Sequence, residues 1–454
     1  MRNEKNTLIK QLTSFPYFLR NRITQSPDLQ KALNNTKWLV IEKLLRMVIG
    51  LIVGVWVARY LGPVQYGLMN YALAFVAIFS GIASFGLNGI VVRDVIKKDK
   101  SVGETLGTAF ILQVFGGLLT LSFIAIVIRY IRPGETLILN MVLVLGFVFI
   151  FKSTEVIKYW FESLVQSRYS VFVEGSAYLI SSVIKIALIV IKAPLMAFVW
   201  ALFIEGLITA AGLFIVYTYK GWRINAWQVS CKRVLSLLKD SWPLLVSGTL
   251  VLINMSIDKV MLGQLANDQE VGFYSAANVF VGFWYFIPMV IIGSIAPKLI
   301  KMHTLDLYKY DDLSKKIYLF LGGGSFIVAL IFSFASDALV LFLYGDQFKS
   351  AGSVLAISIW SIVFIFQVSF RGRLLVIENE QIYVTILILM GTLTNIFLNF
   401  LLIPICGAIG SAIAFTASWG FSALIFPMIF KKTRHHAMWS LGLNCDANSN
   451  TRRN

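Results

Sequence analysis

Several long stretches of the chain carry no Lys, Arg, Asp or Glu. Residues 60–92, 105–128, 271–297 and 381–430 lack all four over 33, 24, 27 and 50 positions. A helix crosses a bilayer in roughly 20 apolar residues, so each of these stretches is long enough to do so. Their apolar positions run on continuously, whereas a transmembrane barrel strand would alternate with period two. The 50-residue stretch is too long for one crossing. Ile403-Pro404-Ile405-Cys406-Gly407 interrupts it, and proline with glycine favours a turn there, which predicts a tight helical hairpin. The same reasoning along the whole chain predicts twelve spans. They lie near 38–58, 67–87, 106–128, 137–155, 170–191, 195–218, 241–263, 271–295, 317–336, 351–370, 381–402 and 407–430.

Composition agrees. The 454 residues are 57% hydrophobic and 14% charged, against about 25% charged in soluble domains. An all-α polytopic membrane protein follows; a secreted disulfide scaffold, a disordered chain and a cytosolic multidomain enzyme are excluded. Cys231, Cys406 and Cys445 are too few and too scattered for a disulfide framework or a zinc site. Residues 1–35 are polar and basic, without the central apolar run of a cleavable signal peptide. Within them, residues 14–33 read equally as an unstructured tail or as an amphipathic surface helix carrying Phe15, Phe18, Leu19 and Ile23 on one side.

The net charge of +17 suggests nucleic acid until the cations are placed. With the N-terminus cytoplasmic, 31 of the 40 Lys and Arg fall in the two tails and in the loops on one side. Only Arg59, Arg129, Arg132, Lys192 and Lys349 fall on the other, and Lys43, Arg46, Lys185 and Lys259 lie inside spans. That is the positive-inside asymmetry of a membrane protein, so both termini are expected in the cytoplasm and no nucleic-acid partner is needed. The connections on the opposite side are all short, with no domain there to build an enzyme site.

The chain repeats weakly at about 205 to 210 residues: Tyr60 to Ala72, with Gly67 opening a span, aligns with Leu265 to Ala277, with Gly272 in that place. Six spans per copy, both starting on the same side, predict a parallel repeat. Two pseudo-symmetric six-helix lobes would then surround a central cavity that opens alternately to either side. The expected organisation is a tail at 1–35, an N-lobe at 36–218, a basic linker at 219–239, a C-lobe at 240–430 and a second tail at 431–454.

Four motifs carry a family resemblance. Ala58-Arg59-Tyr60-Leu61-Gly62-Pro63-Val64-Gln65-Tyr66-Gly67 resembles the first-loop signature of the polysaccharide biosynthesis or oligosaccharide flippase family, within the multidrug/oligosaccharidyl-lipid/polysaccharide exporter superfamily. Gly86 through Arg93-Asp94 resembles the close of its second helix. Asp258-Lys259 through Gly263, followed by Val271 through Ala277, is similar to its seventh-to-eighth helix hairpin. Asn395 through Ala414 is similar to its penultimate hairpin. Together they cover roughly residues 36–430. The resemblance implies a bacterial inner-membrane protein that moves a polyprenyl-pyrophosphate-linked oligosaccharide between leaflets for O-antigen, capsule or exopolysaccharide assembly. It would act as a monomer, beside a polymerase and chain-length machinery. Lipid II flippases and cation-coupled multidrug antiporters of the same superfamily are the near alternatives. A membrane glycosyltransferase or polymerase is the alternative of a different class.

A charge at the bilayer centre costs about 2.5–3.5 kcal/mol, so an in-span charge must face a cavity or a partner. The phosphate contacts expected from such a substrate are Arg46, Lys185 and Lys259 within spans, with Arg371, Arg373 and Lys152 at the cytoplasmic rim. Glu42 lies one turn from Arg46 and can pair with it; snorkelling of Arg46 to the interface is the other reading. Asp258 is a counter-ion to Lys259 or a protonation site. Glu174, on the face of Lys185, and Glu205, alone in mid-span, are further candidates for counter-ions or coupling groups. Lys152, Glu155, Lys158 and Glu162 share one face and also read as a salt-bridged helix end. No Walker-A loop, H-E-x-x-H or nucleophile–base pair occurs, and no cofactor, metal or catalytic residue is expected.

Overall fold

A polypeptide in hydrocarbon must satisfy its backbone internally, by helices or a closed barrel. In the computed structural model, which describes residues 27–97 and 102–443, every regular element is helical. Residues 14–26 of the expected surface helix lie outside the described residues. Ten helical stretches are long and apolar enough to cross a bilayer. Two of them, Lys37–Lys97 and Gln381–Ile429, run 61 and 49 residues. A straight helix of that length, at 1.5 Å per residue, would reach about 90 Å or about 75 Å, against a hydrocarbon core of about 30 Å.

Neither stretch is straight. α1 (Pro27–Ser84) is broken at Gly62, whose φ of 71° lies in the left-handed region. Pro63 then opens the second arm, where its missing N–H is not needed. α14 (Gln381–Gly420) breaks in the same way at Gly407, at φ 54°, three residues after Pro404. Both breaks fall at hairpin turns predicted from the sequence.

Between α1 and the first charged loop stands the short α2 (Asn88–Lys97). α3 (Val102–Ile131), α4 (Thr136–Phe151), α5 (Glu155–Ser163), α6 (Arg168–Val190) and α7 (Leu195–Tyr219) complete the first half. The fourth span, expected to run to 155, stops at Phe151, where the 3-10 turn Lys152–Thr154 leads into α5. The second half starts with α8 (Cys231–Leu265), already helical within the basic 219–239 stretch. It continues as α9 (Asp268–Trp284), α10 (Phe286–Leu305), α11 (Leu307–Tyr344), α12 (Ala351–Ser358), α13 (Ser361–Ile377) and α14. A π-helical turn at Phe421–Ile425, α15 (Phe426–Ile429) and α16 (Arg434–Ser440) close the described chain. Part of the expected 431–454 tail is therefore ordered: α16 packs on α11 and buries His436, Ala437 and Trp439.

The main core is shared between halves. α1 lies against α8 and α9, and Tyr71, Phe75, Tyr274 and Ala277 are among the residues buried where the halves meet. A smaller core around Leu87, Trp160 and Leu237 gathers α2, α3, α5 and the start of α8. The turns at Gly62, Gly134, Gly345 and Gly407 lie at one end, called here the Gly62 end; the 220–230 connection lies at the other.

Candidate functional site

At the Gly62 end the two halves touch through their backbones. A methyl on Gly67 would stand 1.7 Å from the Asp268 carbonyl oxygen, and one on Gly272 2.0 Å from that of Pro63. Each glycine therefore faces the carbonyl four residues before the other. This reciprocity is that of a two-fold contact between like surfaces, made by the two positions that the sequence repeat aligns.

Arg132, from the turn between α3 and α4, spans the same seam. Its Nη2 donates to Gly263 O at 2.5 Å and to Asp268 Oδ1 at 2.9 Å. Its guanidinium lies 4.1 Å above the centre of the Tyr71 ring, and the Tyr71 hydroxyl accepts from Gln264 at 2.7 Å. Nearby, Gln347 donates to Arg59 O at 2.8 Å. Glu270 accepts from Ala408 N at 2.7 Å, capping the helix that restarts after Gly407.

Two cavities stand out, one within each half. A cavity of about 210 Å³ in the first half is lined by residues including Asn70, Tyr178, Ser182 and Lys185. The cations here have partners. Arg46 pairs with Glu42, as their spacing predicts, and lies 5.0 Å from the Tyr178 ring centre. Lys185 approaches Glu205 at 3.6 Å. Glu174, three turns before Lys185 on the same helix, pairs across to Lys158 on α5 at 2.8 Å.

A cavity of about 720 Å³ in the second half is lined by residues from α8, α10, α13 and α14, with Arg371 and Arg373 as its only charged lining residues. Arg371 is 3% exposed. Its Nη1 donates to Ala423 O at 3.1 Å, but no described carboxylate lies within ion-pair distance. A desolvated guanidinium without a counter-ion is costly, and the open space beside it can admit an anion. Arg373, two residues on, is exposed and likewise unpaired.

Beside the wall of this cavity lies a second polar group. Asp258, 1% exposed, accepts from Asn395 Nδ2 at 3.0 Å and Asn399 Nδ2 at 2.7 Å. The two amides sit one turn apart on α14. Asn254, whose side chain reaches both the cavity and Thr392, precedes Asp258 by one turn. Further buried oxygens surround it: Asn254 Oδ1 and Asn399 Oδ1 have no hydrogen-bond partner among the described residues, and the Tyr274 hydroxyl stands between Asp258 and Ser411. A buried acid ringed by oxygens can take a proton or a small cation.

Lys259 is partly buried and comes within ion-pair distance of no described carboxylate, and the adjacent Asp258 acts on it only at longer range. Lys152 is exposed at the end of α4, its amine 5.6 Å from the Phe149 ring centre. Sequence reasoning missed Arg132, which it counted only as a loop cation. It also passed over the role of Asn395 and Asn399, although two amides at i and i+4 in a charge-free span were the available signal. A separate group with metal-ligating chemistry, Glu378 with His435 and His436, lies at the end away from Gly62.

Comparison with known proteins accords with this architecture. The family described as polysaccharide biosynthesis protein matches residues 32–303. The capsular polysaccharide biosynthesis protein CapF of Staphylococcus aureus is 23% identical over 415 residues, covering 88% of this chain and 98% of that protein. Among solved structures, the lipid II flippase MurJ in an inward closed conformation superposes with a TM-score of 0.68 at 14% identity, over 88% of this chain and 89% of that one. An inward-facing multidrug resistance MATE family transporter of the MOP superfamily gives 0.68 at 13% identity, over 89% and 98%.

Proposed function

Because the chain belongs to the polysaccharide biosynthesis protein family, we propose that it is a flippase for a polyprenyl-pyrophosphate-linked oligosaccharide, working in capsule, O-antigen or exopolysaccharide assembly. Its twelve crossings form two six-helix lobes, with α1 and α14 each crossing twice. The Gly62 end faces outward and both termini lie in the cytoplasm of a bacterial inner membrane, as the Lys and Arg asymmetry favours. The observation that carries the reading is the uncompensated Arg371 on the wall of the 720 Å³ cavity. A pyrophosphate supplies the counter-charge that the protein itself withholds, and a guanidinium can hold it with two parallel hydrogen bonds.

Arg373 adds a second cation at the same wall, and Lys259 and Lys152 are further unpaired charges on the route. Arg46 and Lys185, neutralised by Glu42 and Glu205, serve the first lobe as paired switches and not as phosphate ligands. Lys158 holds Glu174 in a structural pair. Asp258 is the coupling group, loaded and unloaded with a proton or small monovalent cation as the lobes exchange conformations. A multidrug antiporter for cationic compounds is disfavoured by the same cavity, whose charged lining is arginine alone. No group in either cavity is arranged for glycosyl transfer.

The test is transport by the purified chain in proteoliposomes that carry a fluorescent polyprenyl-pyrophosphate oligosaccharide. Exposure of the sugar to a glycosidase added outside reports flipping. The chain should accelerate it, and Arg371→Gln should slow it at least tenfold while the protein stays monodisperse. Equal rates with and without the chain would refute the flippase reading; equal rates for Arg371→Gln would remove Arg371 from the substrate path.

A further inference from the structure

Three elements distant in sequence meet at the end away from Gly62: the start of α11, the residue after α13 and the short α16. Their junction holds Glu378, His435 and His436. We propose that these three side chains form a binding site for one transition-metal ion of the zinc class.

The geometry suits such an ion. Glu378 Oε2 lies 3.1 Å from His436 Nε2 and 3.8 Å from His435 Nε2, and the three ligand atoms all fall within 4.8 Å of one another. Tetrahedral zinc with bonds of about 2.0–2.1 Å separates its ligand atoms by about 3.4 Å, between the two measured spacings. Small rotations of two rings would bring all three donors onto one centre. The donor set is also the right one: two imidazoles offer neutral nitrogen lone pairs, and the carboxylate offsets half the charge of a dication.

The surroundings fit a built site. The His436 side chain is fully buried and those of Glu378 and His435 nearly so, at 12% and 13% exposure. The second oxygen of Glu378 is fixed by the Tyr310 hydroxyl, which donates to Oε1 at 2.9 Å. Outer-sphere anchoring of this kind orients a ligating carboxylate. The His303 ring packs edge-on against Tyr310, centroids 5.0 Å apart, so all three histidines of the chain collect at this corner. His303 stands outside the ligand set, and the fourth position is left to water. The two ligand imidazoles lie 3.9 Å apart, centre to centre. Two imidazolium rings would repel each other there, whereas one dication satisfies both rings and the acid together.

The ion would tie α16 to α11 and α13. Glu378 stands two turns beyond Arg371 on α13, so the clasp braces the helix that carries the cavity arginines.

The full chain, purified in detergent with any affinity tag removed and stripped with EDTA, would be dialysed against Zn²⁺ and its metal counted by mass spectrometry. One Zn²⁺ per chain is expected. His435→Gln and Glu378→Gln should each lower occupancy at least fivefold at the same free Zn²⁺, and His303→Gln should keep it. Zinc at background in the native chain, or unchanged occupancy in His435→Gln and Glu378→Gln, overturns the proposal. Co²⁺ loaded into the native chain gives an answer independent of how the variants fold. The intense visible absorption of a four-coordinate ion is expected, and the weak bands of hexaaqua Co²⁺ alone would overturn the site.

Discussion

Asp258 and Arg371 are opposite cases of the same physics. Each is an ionisable group taken almost wholly out of water with no opposite charge within ion-pair distance. Asp258 is held by two amide donors with the Tyr274 hydroxyl alongside; Arg371 is held by one carbonyl and borders open volume. A buried charge without its counter-ion is strongly destabilising, so both positions favour a state in which something binds. Asp258→Asn keeps the shape and removes the charge. It should abolish the response of flipping to an imposed ion gradient, measured in the proteoliposome assay, without lowering the thermal unfolding midpoint. A gradient response equal to that of the native chain would show that coupling resides elsewhere.

At the scale of elements, the contact between the second arm of α1 and α9 works because neither helix has a side chain at the crossing. Backbone-to-backbone approach is the usual use of small residues between membrane helices. Gly272→Ala places a methyl 2.0 Å from the Pro63 carbonyl, so the helices must separate. Such overpacking costs about 1–3 kcal/mol, all of it charged to the closed arrangement of the Gly62 end. In a chain with its cysteines replaced by serine, a cysteine at Asn70 reports on the first-half cavity. An impermeant thiol reagent on the Gly62 side should label it several-fold faster once Gly272→Ala is added. Labelling that does not change would mean that the glycine contact does not close the passage.

The whole molecule is closed at one end by contacts between halves, and each half holds a cavity of its own. If the chain flips a lipid-linked sugar as proposed, the Gly62 end must open, and Arg132 is a polar group that joins the halves there. Arg132→Gln keeps a donor but loses the charge pair with Asp268. Asp268 is 22% exposed, so losing the pair costs less than the roughly 2–5 kcal/mol of a fully buried one, and even about 1.4 kcal/mol raises the open population about tenfold. Spin labels at Val64 and Ile405, both exposed near this end, should then show a second, longer separation. A single unchanged distance would exclude Arg132 as the latch.

The sequence alone settled what depends on local chain chemistry. Bilayer thickness and the need for internal hydrogen bonding dictate where helices run, and Gly62-Pro63 and Pro404 to Gly407 mark where two of them turn back. The pairing of Glu42 with Arg46 was legible for the same reason: four residues along one helix is a fixed distance. The repeat even picked out Gly67 and Gly272, though not that they touch. Only tertiary structure decided the partners of the other charges. Glu174 meets Lys158 on another helix, Asp258 accepts from Asn395 and Asn399, and Arg132 reaches Asp268 across 136 residues. Those choices depend on how far each helix is rotated about its axis when it packs. A rotation of half a turn carries a side chain to the opposite face, and the sequence of one helix contains no measure of where its neighbour's side chains will stand.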